Sequence, residues 1–430
     1  MGASLLLAAG GHALPPYPSV APFILILLGI AILPLVAHHW WESNRNRAIF
    51  VTIIAAPFAI WWWSNYGVGA LLHGWEEYLS FIALVGSLYV VAGGIFLRGS
   101  LKASPGANTM LMAIGAVLAN LLGTTGASMV LIRPFLRANA HRPVFARVLG
   151  VVFFIFTVSN VGGCLTPLGD PPLFLGFLRG VDFFWTLGLA KEWAFALALI
   201  LALYYVWDRL LQSKEEAAPV VAPEDGKLGL EGRRNLPLLL CIMGAVICKG
   251  QFGWPFGPQE AIMALVAVVS MVVTRKDTRK KNHFSFGPIL EVAILFAGIF
   301  TVMVAPLAIL EVKGGDLGLE KAWQYFWVTG GLSSFLDNAP TYVVFGQTAA
   351  TYAGADSIGE LMTKGPMLLV GISLGAVFMG AMTYIGNAPN FMVKAIAEEN
   401  EIKMPSFFGY MKYSVAILIP IYLIVTLVFL

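Results

Sequence analysis

Charged side chains are scarce in this chain. Asp, Glu, Lys and Arg together make up 12% of the 430 residues, whereas hydrophobic residues make up 58% and the mean hydropathy is +0.78. A soluble domain carries roughly 25% charged residues, because water must solvate its surface. Most of this protein's surface must therefore contact something other than water, and the composition predicts a lipid bilayer as that partner.

Cysteine is also nearly absent. The chain has three cysteines, all in apolar stretches and none in a CxxC or Cys/His spacing, so neither a disulfide framework nor a zinc site is predicted. The net charge is only +3, and the basic residues are not interleaved with aromatic residues in one patch. We therefore expect no nucleic acid as partner.

Long apolar runs recur along the whole chain and suffice, or nearly so, to cross about 30 Å of hydrocarbon as helices. They predict spans near 22–37, 48–63, 78–97, 148–178, 187–207, 236–250, 259–274, 288–311, 366–392 and 411–430. Two further apolar segments, 107–134 and 323–350, carry turn-forming residues at their centres. The predicted fold class is an all-α, multi-pass membrane protein, which we place in the inner cell membrane.

Basic residues orient the spans, because cytoplasmic loops collect Lys and Arg. The densest basic cluster is at 275–281, whereas 64–77 and 251–258 contain neither Lys nor Arg. Segment 107–134 has basic residues at both ends, and its two arms are too short for two crossings. We therefore predict a re-entrant hairpin that turns at 123–126 and returns to the cytoplasmic side.

One long polar segment, 208–235, is predicted to be a cytoplasmic linker between two halves. We assign 1–47 to an N-terminal peripheral segment and first span, 48–207 to a first inverted repeat and 236–430 to a second. Each repeat holds an interrupted hairpin segment followed by an interrupted span, with opposite topology. Two re-entrant hairpins and two unwound transmembrane helices in an inverted repeat are typical of secondary transporters, whose sites lie near the bilayer midplane.

Glycine and proline mark the four interruptions. A helix broken in hydrocarbon frees backbone N–H and C=O groups, which are costly unless they are satisfied. Around a polar cavity, freed carbonyls can coordinate a cation and helix N-termini can hold an anion; the alternative is that these motifs are ordinary surface loops. The residues predicted to form the breaks are Gly162, Gly163, Pro167, Gly169, Pro171, Pro340, Gly386 and Pro389.

Two acids lie within the interruptions, Asp170 and Asp337. A carboxylate deep in a membrane is costly enough to imply function or pairing, although Asp337 is also suited to cap the following turn. Two carboxylates in a low dielectric repel each other, so one is expected to bind a proton near neutral pH and to exchange it for a cation.

Asn and Thr residues surround these acids in the sequence and could complete an oxygen-rich shell for a hard cation. Their alternative or additional role is to bond locally to freed backbone groups. The predicted ion-binding or substrate-binding residues are Asp170, Asp337, Asn338, Asn387, Asn160, Thr124, Thr125, Thr166 and Thr383. The predicted Na⁺ ligands among them are Asp170, Asp337, Asn338 and Asn387.

At the four interruptions the sequence resembles the ion transporter superfamily, and most closely its citrate transporter-like proteins described as sodium/proton antiporters. The resemblance covers essentially 48–430 and is carried by GTTGAS at 123–128, SNVGGCLTPLGDPP at 159–172, LDNAPT at 336–341 and IGNAPN at 385–390. It implies two re-entrant hairpins and two unwound helices around a central site, a moving transport domain and a homodimer. It also implies that Asp170 and Asp337 match acids of the antiporter motifs, although neither hairpin tip carries the Ser-Asn-Thr of the dicarboxylate branch.

The leading functional hypothesis is cation/proton antiport, with Na⁺ as the cation. The alternatives are transport of citrate or another organic anion coupled to Na⁺ or H⁺, and an arsenite-type permease. Two acids at the site disfavour a free polyanion, because like charges repel strongly in a low dielectric. An intramembrane aspartyl protease also needs two aspartates, but the chain has no Tyr-Asp dipeptide, and Pro167 replaces a required glycine. We therefore expect no enzymatic activity and no cofactor.

Overall fold

The computed structural model of the chain describes residues 14–99, 103–213 and 229–430. Residues 1–13, which belong to the predicted N-terminal segment, and 214–228, which form the centre of the predicted linker, lie outside the described residues. The two predictions about these segments therefore stay predictions.

Helices account for almost all regular structure in the described residues. In the first half they are α1 Ala21–Val36, α2 Asn44–Tyr66, α3 Gly69–Ala92, α4 Pro105–Ala138, α5 Val144–Thr157, α6 Pro171–Leu178 and α7 Ala190–Gln212. Shorter helical pieces lie at Tyr17–Val20, His38–Trp41, Val161–Leu165 and Trp185–Leu189.

The second half continues in the same way. Its helices are α8 Asn235–Phe252, α9 Pro258–Val273, α10 Lys276–Lys281, α11 Gly287–Val302, α12 Val304–Lys313, α13 Ala322–Ser333, α14 Asn338–Tyr352, α15 Pro366–Met379, α16 Ala388–Glu399 and α17 Phe407–Phe429. Shorter pieces lie at Gly314–Leu317, Ile358–Glu360, Leu361–Lys364 and Gly380–Met382.

Eight of the helices in the described residues are long and apolar enough to cross a membrane. The pair α11 and α12, which is bent by 44°, makes a ninth if it is counted as one span. Many side chains on these helices are large, apolar and exposed, as a lipid-facing surface requires. The prediction of an all-α, polytopic membrane protein is confirmed.

One small sheet was not predicted. Strands β1 Phe96–Arg98 and β2 Gly229–Glu231 pair antiparallel, with Leu97 opposite Leu230. Three-residue strands are too short to show the alternation by which a strand is recognised in a sequence. The sheet joins the end of α3 to the residues just before α8.

The predicted span 78–97 is wrong at both ends, because α3 runs from Gly69 to Ala92. The helix includes Glu77, whose buried carboxylate accepts a hydrogen bond from Arg179 Nη2 at 2.6 Å. Arg179 neutralises the charge of Glu77, so α3 can include this acid and begin before it. Gly93 and Gly94 then end the helix, and the rest of the predicted span forms β1.

Helix α4 is a hairpin of two helical arms that meet at Gly123, where φ is 72° and ψ is 155°. Asn108 and Asn139 exchange two side-chain hydrogen bonds of 2.9 Å at the open end of the hairpin. A straight helix would separate residues that lie 31 positions apart by about 46 Å. Both ends of α4 therefore lie side by side, so the segment is a hairpin; that it re-enters the membrane from the cytoplasmic side stays a prediction.

Helices α13 and α14 pack against each other on either side of a break at 334–337. The end of α14 packs back against α12, because Thr351 Oγ1 donates to the carbonyl oxygen of Leu310 at 2.8 Å. The two other predicted interruptions separate α5 from α6 and α15 from α16, and each contains a short 3₁₀ turn. All four breaks thus occur in the segments where the sequence predicts them.

The helices pack in two groups. Helices α1, α2, α3, α8, α9 and α11 contact one another, and α4 to α7 pack with α13 to α17. Helix α3 also contacts α4 and α6, and so lies between the groups. The breaks all belong to the second group.

Candidate functional site

Four helix N-termini meet at the interruptions. The second arm of α4 follows Gly123, and α6, α14 and α16 follow Asp170, Asp337 and Asn387. Side-chain hydrogen bonds join residues at or next to all four starts. Because a helix N-terminus carries about half a positive elementary charge, this arrangement stabilises negative charge at the meeting point.

The carboxylate of Asp170 lies at the centre of this meeting point. Its Oδ1 accepts hydrogen bonds from Thr124 Oγ1 and Asn387 Nδ2, both at 3.0 Å, and its Oδ2 accepts one from Asn338 Nδ2 at 2.7 Å. Asp170 is 1% exposed, and its side chain makes no capping bond to α6. The carboxylate is therefore free to face three donors that come from three other elements and from both halves of the chain.

A buried amide network holds one of these donors in position. Asn160 Oδ1 accepts from Asn387 Nδ2 at 3.2 Å, and Asn160 Nδ2 donates to Asn390 Oδ1 at 2.7 Å. Asn390 Nδ2 in turn donates to the carbonyl oxygens of Gly380 and Thr383 at 2.8 and 2.9 Å. These carbonyls belong to the unwound stretch before α16, so the network also satisfies backbone groups that the break leaves open.

Thr166 and Thr383 do not reach the carboxylate of Asp170. Thr166 Oγ1 donates to the carbonyl oxygen of Asn120 at 2.5 Å, and Thr383 Oγ1 donates to that of Ser334. Thr383 Oγ1 also accepts from two backbone N–H groups of its own loop, at 3.2 and 3.1 Å. Both threonines thus bond to freed backbone groups, which is the alternative role predicted for them, and they anchor the two hairpin tips to the unwound helices.

These contacts follow a spacing that occurs once in each half. The two unwound stretches share the pattern Gly163-x-x-Thr166-x-x-Gly169-Asp170 and Gly380-x-x-Thr383-x-x-Gly386-Asn387. The two tips share the pattern Asn120-x-x-Gly123-Thr124 and Ser334-x-x-Asp337-Asn338. The corresponding residues Thr124 and Asn338 both donate to Asp170. The order of the interruptions alone does not identify Asn120 and Ser334, but a comparison of spacings between the halves would have found them.

Glycine is required where each unwound stretch crosses its own chain. A Cβ atom on Gly169 would overlap the carbonyl oxygen of Gly163, and one on Gly386 would lie 2.6 Å from that of Gly380. Gly162 is equally tight, because its Cβ would lie 2.6 Å from the Cα of a residue in the first arm of α4. These glycines allow the close crossings that bring the polar side chains together.

The prolines lie at the edges of the breaks. Pro171, Pro340 and Pro389 are in the first turns of α6, α14 and α16, where a helix does not need the missing N–H. Pro167 lies in the turn that Gly169 N closes by donating to the carbonyl oxygen of Thr166 at 2.9 Å. The prolines therefore determine where the unwound stretches end and the next helices begin.

Asp337 is the second acid of the site. Its Oδ1 accepts from the backbone N–H of Ala339 at 3.1 Å, so it caps α14, and it also interacts electrostatically with Asp170. Its neighbour Asn338 is 1% exposed, and Asn338 Oδ1 has no hydrogen-bond partner among the residues that the structure describes. An acceptor that lacks a donor thus lies next to both acids.

A small cavity of about 40 Å³ adjoins this cluster. It is lined by α3, the tip of α4, the 167–171 stretch and α6, and both Asp170 and Thr125 border it. About 10–15 Å³ suffices for one water molecule, so the cavity has room for a few waters or a small cation.

The two acids have no basic partner among the residues that the structure describes. The buried ion pairs there lie elsewhere, between Arg142 and Asp208 and between Arg179 and Glu77. No ion pair in the described ranges includes Asp170 or Asp337. The local arrangement therefore offers amide, hydroxyl and carbonyl groups around two acids, without a fixed positive charge.

Comparison with known proteins points to one family. A family described as "Putative citrate transport" matches residues 12–430. An uncharacterized transporter of Mycobacterium bovis and one of Mycobacterium tuberculosis are each 26% identical to this chain over 319 residues, which cover 69% of this chain and 70% of each relative.

Proposed function

The chain belongs to this citrate-transport family and is a membrane transporter, and we propose that it exchanges Na⁺ for H⁺ at Asp170 and Asp337. The observation that carries the proposal is a buried acid, Asp170, beside a half-buried one, Asp337, and neither has a basic partner in the described residues. A buried charge needs a counter-charge, because the protein interior solvates it poorly. A bound proton or a bound cation supplies this charge, and the two compete for the same oxygens.

The surrounding groups suit a small, hard cation. Such ions prefer oxygen ligands, and Asn338 Oδ1 is a buried oxygen that no donor occupies. In the conformation described, the cavity next to Asp170 measures about 40 Å³, whereas sites for small organic molecules usually measure about 300–1,000 Å³. These dimensions favour a monovalent ion over citrate as the occupant.

Opposing electrostatic effects act on the carboxyl group of Asp170. Burial of Asp170 favours its protonated form, whereas its three hydrogen bonds and the converging helix N-termini favour the carboxylate. Because these effects oppose each other, we propose that the Na⁺ and H⁺ concentrations decide which ion occupies the site. Antiport follows if the helix group that contains the breaks moves only when the acids are neutralised.

The test is exchange in everted membrane vesicles that hold a pH gradient. Addition of Na⁺ or Li⁺ should collapse the gradient, as a pH-sensitive dye reports, and Asp170→Asn and Asp337→Asn should abolish this response. The matched control is Asp316→Asn, which removes an exposed acid from a surface pair with Lys313. The proposal fails if both site variants exchange ions as fast as the control.

A second candidate is citrate or another organic anion carried together with Na⁺ or H⁺. The family description and the four converging helix N-termini favour it, since such N-termini bind anions. Radiolabelled citrate uptake that requires Na⁺ but no pH gradient would support this function over antiport. Arsenite, the third candidate, is tested as a further substrate in the same vesicles.

A further inference from the structure

A second, larger cavity lies apart from the acid pair. It measures about 300 Å³ and shares no lining residue with the cavity next to Asp170. It lies where the second arm of α4 and the end of α16 meet β1 and the residues after α10. Its lining residues are Phe96, Arg133, Arg137, Lys281, His283, Glu399 and Asn400.

The charge of this cavity is predominantly positive. Arg133, Arg137 and Lys281 line it, and among the described residues the acids that face them are Glu399 at the cavity and Glu231, which bonds to Lys281 at 2.7 Å. These described side chains sum to one net positive charge with His283 neutral, and to two when it is protonated. An anion is therefore the ligand that this charge attracts.

Arg133 has a donor for which the described part of the chain offers no acceptor. The residue is half-buried, and its Nη1 is fully buried without a hydrogen-bond partner there. A guanidinium presents a rigid fork of N–H groups that matches the oxygens of a carboxylate or phosphate. Arg133 lines the cavity, so its guanidinium is suited to bind an oxyanion there.

The other cationic groups are held in place around Arg133. Arg137 Nη2 donates to the carbonyl oxygen of Leu97 at 2.9 Å, and both Arg137 and Lys281 lie over the ring of Phe96, at 5.3 and 5.6 Å from its centroid. His283 has a φ of 48°, in the left-handed region at the end of α10 where glycine or asparagine is usual. This strained position places an imidazole at the cavity.

We propose that this cavity binds a small oxyanion, either free phosphate or the phosphate of a lipid headgroup. The volume is at the lower end of the range for small-molecule sites. The bound anion would contact α4 and α16 on one side and the β1–α10 region on the other, and so would join parts of both helix groups. This site is independent of the transported ion.

The test uses the purified full chain in detergent. Titration calorimetry with inorganic phosphate tests for the free anion, and native mass spectrometry of co-purified anionic phospholipid tests for the headgroup. Arg133→Gln should weaken phosphate binding at least about tenfold, since a hydrogen bond to a charged group contributes that much, or should remove the retained lipid. The matched control is Arg45→Gln, which changes an exposed arginine on α2.

A second variant guards against misfolding of Arg133→Gln. Glycine tolerates the left-handed backbone at His283, so His283→Gly keeps the fold while it removes the imidazole. It should weaken binding by a smaller factor than Arg133→Gln. The proposal is overturned if the unchanged protein binds neither probe, or if both variants bind phosphate and lipid as Arg45→Gln does.

Discussion

Replacement of Asp170 by Asn should abolish exchange while the fold is retained. The oxygen of the new amide can accept from Thr124 and Asn387, as Oδ1 of the carboxylate does. The new NH₂ group then faces Asn338, whose Oδ1 has no partner and can turn to accept. One hydrogen bond is exchanged for another and their number is unchanged, so we expect the free energy of unfolding to change by no more than ~1 kcal/mol.

Ion binding should respond much more strongly. A unit charge about 4 Å from a cation contributes roughly 4 kcal/mol at the effective dielectric constant of a protein. Since 1.4 kcal/mol corresponds to a tenfold change, the variant should bind Na⁺ about 10³-fold more weakly. It also cannot bind and release the exchangeable proton.

The measurement combines stability and transport on the same preparations. Thermal unfolding in detergent should give nearly equal midpoints for the unchanged protein and Asp170→Asn, and exchange in vesicles should be lost only in the variant. Asp170→Ala provides the contrast, because it leaves the donors of Thr124 and Asn338 without acceptors, at about 1–3 kcal/mol each. Exchange by Asp170→Asn with an unchanged apparent KM for Na⁺ would refute the proposed role of the carboxylate.

Three further changes test other parts of the site. Asp337→Asn should also lose exchange but fold, because Asn caps a helix about as well as Asp; normal exchange in vesicles would contradict this. Gly169→Ala should lower the yield of folded protein in chromatography, because its Cβ would overlap a backbone carbonyl. Gly106→Ala is the control: it has open space around it, so its yield should be unchanged or slightly higher. Thr383→Val should lose about 2–6 kcal/mol of stability, because two backbone N–H groups lose their acceptor. The control Thr109→Val breaks one local bond within α4 and should lose far less stability. Equal unfolding midpoints for the two variants would argue against the anchoring role of Thr383.

Much of this protein could be predicted from its sequence. The scarcity of charge and the long apolar runs indicate a multi-pass membrane protein, since hydrocarbon excludes unsatisfied polar groups. The breaks could be located as well, because glycine and proline destabilise the interior of a helix and here lie together within apolar segments. Asp170 and Asp337 stand out because each is an acid next to such a break.

The partners of these residues depended on the tertiary structure. Asp170 meets Asn338 and Asn387, which lie 168 and 217 positions away in the chain, and the role of Thr383 as an anchor of a hairpin tip depends on a carbonyl 49 positions away. A hydrogen bond forms only when donor and acceptor approach within about 3 Å. The separation of two residues in the sequence predicts such an approach only when both lie in the same helix or strand. Residue types and breaks are thus properties of the sequence, whereas the packing of separate helices determines which groups surround the acids.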